Sequence, residues 1–153
     1  MLFRSGALVF ADRPTALRPP LDGRWPPGTV TEIQSQAQAF MASLAQRLTR
    51  GMALLIDYGF PQAEFYHPQR SSGTLMCHRA HQSDANPLKE VGLKDITVHV
   101  DFTAMALAAQ EAGADVLGYT SQANFLFNCG IDRLLETANA IERSRAQIGR
   151  AHV

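Results

Sequence analysis

Three residues of the types best suited to bind a metal or attack an electrophile crowd together at Cys77, His78 and His81, with His67 upstream and His99 downstream. Thiolate and imidazole are the right ligands for zinc. The spacing fits no zinc finger, only one cysteine takes part, and side chains adjacent in sequence do not converge readily on one ion, so loop packing is the favoured account and no metal is expected. Cys77 beside His78 also has the makings of a thiol nucleophile, because a nearby imidazolium lowers a thiol pKa. Sequence neighbours seldom form such a dyad, and an inert cysteine is the stronger alternative. Asp57 has a better claim. It closes residues 53–56 (Ala-Leu-Leu-Ile), a uniformly apolar run that suits a strand buried on both faces of a parallel sheet. Ligands of such sheets sit beyond the carboxyl ends of the strands. The competing account of Asp57, of equal weight, is a turn residue bonded to local backbone. Asp101 reads first as a helix cap and only second as a catalytic group.

The elements that would position these residues follow from periodicity and punctuation. Residues 6–10 read as a short strand with nothing before it to pair with, and residues 12–28 carry five of the eight prolines as an irregular connection. Thr29 and Glu32 match a capping box ahead of Ile33, Ala37, Phe40, Met41, Leu44 and Leu48 at helical spacing, with Arg47, Arg50 and Gly51 marking the end. Residues 60–94 read as a long polar loop, a length that in a compact domain signals function or disorder. A short extended segment is expected at 96–100. A helix follows, capped by Asp101 or Thr103, facing inward through Phe102, Met105, Ala106 and Ala109, and ended by Gly113. Residues 115–120 read as another strand and 122–128 as a short helix stopped near Gly130. Leu134, Leu135, Ala138 and Ile141 mark one face of a last helix.

With 153 residues, 46% hydrophobic and 18% charged, the chain suffices for one domain with a sizeable core. Fourteen Lys and Arg balance fourteen Asp and Glu, so no basic surface for nucleic acid is implied. No apolar run approaches the roughly 20 residues that span a bilayer, no targeting segment is evident, and two cysteines make no disulfide framework. A soluble, reducing compartment fits. Residues 148–153 (Ile-Gly-Arg-Ala-His-Val) match a translated sequencing adapter, which leaves 1–147 as the domain and suggests a piece of a longer protein.

Taken in order, five segments form a specific set: residues 53–59 (Ala-Leu-Leu-Ile-Asp-Tyr-Gly), 66–70 (Tyr-His-Pro-Gln-Arg), 73–78 (Gly-Thr-Leu-Met-Cys-His), 95–103 (Asp-Ile-Thr-Val-His-Val-Asp-Phe-Thr) and 118–123 (Gly-Tyr-Thr-Ser-Gln-Ala). From about Pro26 to Leu135 the chain resembles the C-terminal half of the MidA-like SAM-dependent methyltransferases, the family that includes the mitochondrial complex I assembly arginine methyltransferase. The resemblance implies an α/β fold, part of the doubly wound, Rossmann-like sheet of class I methyltransferases. Residues 52–57 would be its fifth strand, 101–112 the next helix and 115–120 its sixth strand, with the last antiparallel strand missing. The family's glycine-rich loop, its ribose-binding acidic residue and its Asn-Glu segment would all lie upstream of Met1, and no Gly-x-Gly-x-x-Gly-like loop occurs in the chain. S-adenosyl-L-methionine is thus the cofactor of the full-length protein, and this chain alone is expected to be inactive.

The resemblance also implies a protein substrate, with an arginine guanidinium as methyl acceptor. Asp57, His78, Asp101 and Thr103 are the candidate catalytic residues. The bacterial-like loop wording points to the cytoplasm, or to mitochondria if the source is eukaryotic. Two other functions compete: a protein-binding or assembly module that docks a partner through residues 60–94, and a small metal-dependent hydrolase built on Cys77, His78 and His81.

Overall fold

The computed structural model describes residues 2–4, 6–21 and 25–137. It divides into two compact units, residues 1–115 and 116–153. At the start of the first unit, β1 (Leu2–Arg4) and β2 (Ala7–Val9) pair antiparallel, Leu2 opposite Val9, with Gly6 in the turn at φ 77°. The expectation that the first strand has nothing to pair with is overturned.

Helix α1 (Ser35–Arg47) forms where apolar spacing predicts it but begins beyond the expected capping box. Gln34 is the N-cap and makes no side-chain cap bond. Tertiary partners claim Glu32 instead. Its Oε1 accepts from the N–H groups of Thr74 (2.8 Å) and Leu75 (3.0 Å), and its Oε2 from the Thr74 hydroxyl (3.2 Å). Three bonds to a carboxylate outweigh one local cap bond. Thr29 donates its hydroxyl to the Pro26 carbonyl at 2.7 Å. Arg47 lies in the last turn as expected, whereas Gly51 falls past the Leu48 cap and does not close the helix. Phe40, expected on the inner face, is exposed.

The expected long loop is instead a built arm. It leaves β3 (Gly59–Phe60) through α2 (Gln62–Phe65). It then runs through β4 (Met76–Arg79), β5 (Gln82–Asp84) and β6 (Asp95–Thr97), which form an antiparallel sheet in the order β5-β4-β6. Ala80 (φ 47°) and His81 (φ 62°) make the left-handed turn between β4 and β5. The arm returns at β7 (Val100–Asp101), which pairs parallel with β3, Gly59 opposite Val100 and Phe60 opposite Asp101. Helix α3 (Phe102–Glu111) follows directly and packs on α1, burying Met41, Met105 and Ala109 between them.

Mixed α/β character is as expected, yet two predicted strands do not form. Residues 53–56 are extended chain without a neighbour, with Leu54, Leu55 and Ile56 exposed by 58%, 48% and 66%. Residues 115–120 also form no strand, and Val116 and Leu117 are exposed. Apolar side chains make a run suitable for burial, but a strand exists only when another strand takes its N–H and C=O groups. Among the described residues none lies alongside either run, so the doubly wound sheet is represented by the β3–β7 pair alone.

In the second unit, α4 (Gln122–Asn128) is capped by Ser121, whose hydroxyl accepts from the Asn124 N–H at 3.2 Å, and Gly130 at φ 82° ends it. Helix α5 (Ile131–Thr137) contains Leu134, which is exposed, and Leu135, which is half-buried. Ala138, Ile141 and the 148–153 tail lie outside the described residues.

Candidate functional site

The site grows from the base of the arm, where its two ends are clasped together. Val100 donates its N–H to the Tyr58 carbonyl at 2.8 Å, and the backbones meet so closely that a Cβ on Gly59 would stand 2.2 Å from the Val100 oxygen. Only glycine permits that approach. One residue along, Gln62 donates its N–H to the Thr103 hydroxyl at 3.0 Å. Gln34 closes the same junction from the other side, its Nε2 donating to the His99 carbonyl (2.5 Å) and its Oε1 accepting from the Asp101 N–H (3.0 Å). The His99 N–H in turn reaches the Thr74 hydroxyl (3.1 Å), which is itself held by Glu32.

Asp101 is 1% exposed. Its Oδ1 accepts from the Ala104 N–H at 3.1 Å, so the helix-cap role expected first is the one it fills. Its Oδ2 is buried with no hydrogen-bond partner, alone in this among the side-chain polar atoms of the described residues. Beside it lies Tyr66, also buried, whose hydroxyl donates to the Glu32 carbonyl at 3.0 Å. Burial first, and then the negative charges of Asp101 and Glu32, push the Tyr66 pKa up to about 12. Phe60 stacks on His99 with centroids 4.9 Å apart, and the Arg70 guanidinium lies 4.0 Å from the Phe60 ring centre.

The structure therefore brings Asp101 and Thr103 together at the junction of β7 and α3, with Asp57 just before β3, where the apolar run ends. Asp57 is exposed and its Oδ1 accepts from the Tyr58 N–H at 2.7 Å, the local backbone bond weighed as its structural alternative. His78 belongs elsewhere, on the three-stranded sheet of the arm. Cys77 is fully buried and His78 is exposed, because successive strand residues face opposite ways, so the thiol and imidazole do not form a dyad. His81 sits in the hairpin turn. Among the described residues no three His, Cys, Asp or Glu side chains are grouped to hold a metal. Glu32, Gln34, Tyr66 and Thr74 were missed as site residues. Tyr66 and Thr74 lie inside segments that carry the resemblance; Glu32 was read only as a capping-box residue and Gln34 carries no local signal, because their partners are more than thirty positions away.

S-adenosyl-L-methionine needs an enclosed slot for adenine, an acidic group for the ribose and clustered donors for its carboxylate. Two open grooves stand out among the described residues. One, about 350 Å³, lies between α1 and α3 over alanines and glutamines; the other, about 260 Å³, lies on the arm among paired charges such as Arg79–Glu90 and Lys94–Asp84. Neither of these grooves is at the strand ends, and the space beside Gly59 is taken by the Val100 backbone, so neither groove fits the cofactor. No helix among the described residues is long and apolar enough to cross a membrane.

Comparison with known proteins supplies the family. The model of a family described as "Putative S-adenosyl-L-methionine-dependent methyltransferase" matches residues 6–120. A crystal structure of a Burkholderia thailandensis protein bound to S-adenosyl-homocysteine is similar at 46% identity with a TM-score of 0.79, over 94% of this chain and 37% of that one. A native crystal structure of a protein from the same species is similar at 46% identity with a TM-score of 0.78, over 94% of this chain and 38% of its own length. This chain thus spans little more than a third of each. No curated protein gives a significant match. With the family pattern running through the clasp, the arm and α3 alike, the chain belongs to this family of S-adenosyl-L-methionine-dependent methyltransferases.

Proposed function

We propose that this chain forms the acceptor-holding part of an enzyme that methylates arginine side chains of proteins. The observation that carries it is the exposed Asp57 carboxylate where the apolar run enters the β3–β7 pair, with the adjoining Tyr58 also 64% exposed. A guanidinium is a planar cation that pairs with a carboxylate through two N–H groups and stacks on an aromatic face. Because its pKa exceeds about 12, it becomes a nucleophile only when a carboxylate orients it and takes a proton as the new bond forms. Asp57 is the reachable carboxylate for that work. Buried Asp101 and half-buried Thr103 serve as positioning residues that hold α3 and the arm's base. Residues that do not seat the cofactor leave this chain without activity alone.

The test is a chimera in which this chain replaces the segment it matches in the Burkholderia protein, incubated with labelled S-adenosyl-L-methionine and arginine or lysine peptides. Label on arginine, lowered about 100-fold or more by Asp57→Asn with cofactor binding unchanged, is the expected result. Label on another acceptor, or an unaffected Asp57→Asn, overturns it.

A non-catalytic assembly module is the second reading, favoured by the built arm. Its Val91, Leu93, Ile96 and Val98 are all exposed, as a docking surface would need.

A further inference from the structure

Arg70 is a cation fixed at its root and unused at its tip. Its guanidinium lies 4.0 Å from the Phe60 ring centre, and Phe60 is itself held by stacking on His99. Nε donates to the Glu64 carbonyl at 3.0 Å and Nη2 to the Glu64 carboxylate at 3.2 Å. A guanidinium carries five N–H donors. Two are used here, so both hydrogens of Nη1 and the second hydrogen of Nη2, which together make the terminal fork, have no partner among the described residues. The side chain is 33% exposed, which leaves that fork within reach of a solute. Every contact that orients it comes from Phe60 and Glu64, at the foot of the arm.

An arginine that grips a ligand usually loses rotamer freedom in doing so, and here Phe60 and Glu64 have already removed most of it. The fork presents two parallel N–H groups, the pattern that a carboxylate accepts through both oxygens. Glu64 is exposed and meets the guanidinium carboxylate-to-nitrogen at one point, so screening leaves much of the positive charge for a second anion. Phe60 is also the last residue of β3, which pairs parallel with β7, and ligands of parallel strands sit beyond their carboxyl ends. We propose that Arg70 is a carboxylate-binding residue and that the carboxylate belongs to an acidic side chain of the protein substrate. That source rests on the arginine-methylation reading. Asp57 stands three residues before Phe60, at most about 11 Å of extended chain, so a peptide whose arginine lies on Asp57 brings to Arg70 a residue two or three positions away. The carboxylate of S-adenosyl-L-methionine is the other source of the same chemistry, and the experiment separates the two.

The experiment follows the guanidinium signals of this chain, isotope-labelled at arginine, while it is titrated with two peptides, Ac-Arg-Gly-Glu-Gly-amide and Ac-Arg-Gly-Gln-Gly-amide. S-adenosyl-homocysteine and its decarboxylated analogue form a second pair of probes. At low salt the glutamate peptide is expected to bind about tenfold tighter than the glutamine peptide and to shift the Arg70 signals, with the preference shrinking as salt is added. Arg70→Gln loses the preference, and so does Arg70→Lys, because a point charge has no fork. Arg79→Gln, which removes the same charge from the ion pair with Glu90 on the arm, keeps it. Slow exchange at the Val100 amide shows that the arm's base is intact in each variant, and where Arg70→Gln disturbs it the comparison with Arg70→Lys decides. Arg70 signals that do not move with either carboxylate probe overturn the proposal, as does a preference that survives both Arg70 variants. Discrimination between S-adenosyl-homocysteine and its decarboxylated analogue that needs Arg70, with the two peptides alike, upholds the carboxylate seat and overturns the substrate as its source. An Arg70-dependent glutamate preference that is equally strong when the peptide's arginine is replaced by lysine upholds the proposal and counts against the arginine acceptor instead.

Discussion

Asp101 carries opposed effects on its two carboxylate oxygens. Oδ1 caps α3, a contribution of about 1 kcal/mol, while Oδ2 is buried without a partner at a cost of about 1–3 kcal/mol. Serine keeps the cap and discards the orphan. Asp101→Ser is therefore expected to raise stability by about 1 kcal/mol in urea unfolding, and a loss of that size would mean that Oδ2 is satisfied after all. Tyr66 gives a second residue-scale prediction. Below pH 10 the tyrosine is protonated whether the chain is folded or not, so its titration leaves stability unchanged. Between pH 10 and about 12 the unfolded chain releases a proton that the folded chain still holds, and stability falls as pH rises. The fall is about 2–3 kcal/mol across that window. Tyr66→Phe should abolish the slope while costing about 1 kcal/mol at neutral pH, because the Glu32 carbonyl loses its donor. Unfolding curves at pH 8 and pH 11.5 for both proteins check the two halves of the claim.

At the scale of elements, the arm depends on a pairing only two residues long. Gly59→Ala puts a Cβ 2.2 Å from the Val100 carbonyl, a backbone atom that cannot swing aside, so β3 and β7 must part. The expected loss is about 3 kcal/mol, with fast exchange at the Val100 amide, whose partner is the Tyr58 carbonyl. An alanine variant that exchanges no faster there would show that the clasp does not hold the arm. The same elements explain what could be read in advance. Helix ends were legible where their signals are local: Asp101 caps within three residues, and Gly113 and Gly130 take the positive φ that stops a helix. The start of α1 was not, because Glu32 spends its carboxylate on Thr74 and Leu75. Strands fared worst for the same reason. Residues 53–56 have the right composition, but pairing is decided by distant chain, and the polar residues 76–84 pair because a tight turn folds them back on each other. Of the candidate site, Asp57, Asp101 and Thr103 were visible in the sequence, whereas the Glu32 and Gln34 bonds that tie Thr74, His99 and Asp101 together could emerge only from the fold.

For the whole molecule, the question is what 153 residues can do by themselves. Among the described residues the buried core is small: Met41, Met105 and Ala109 between two helices, with Phe65, Tyr66 and Cys77 buried as well. Against this stand large apolar side chains left in water, Met52, Leu54, Leu55 and Ile56 in one contiguous run. Exposed apolar surface with unpaired backbone favours association over solubility. A core of this size leaves little margin over the conformational entropy of the chain. The purified chain is therefore expected to melt broadly, to bind a hydrophobic dye while folded, and to associate as its concentration rises. S-adenosyl-homocysteine should add no stability, because a ligand stabilises only the state that holds it, in proportion to ln(1 + [L]/Kd). Calorimetry with and without that ligand tests both statements at once. A sharp melt of a monomer that shifts upward with S-adenosyl-homocysteine would show that these residues form a cofactor seat unaided, and that the exposed 52–58 run needs no neighbour for the site to work.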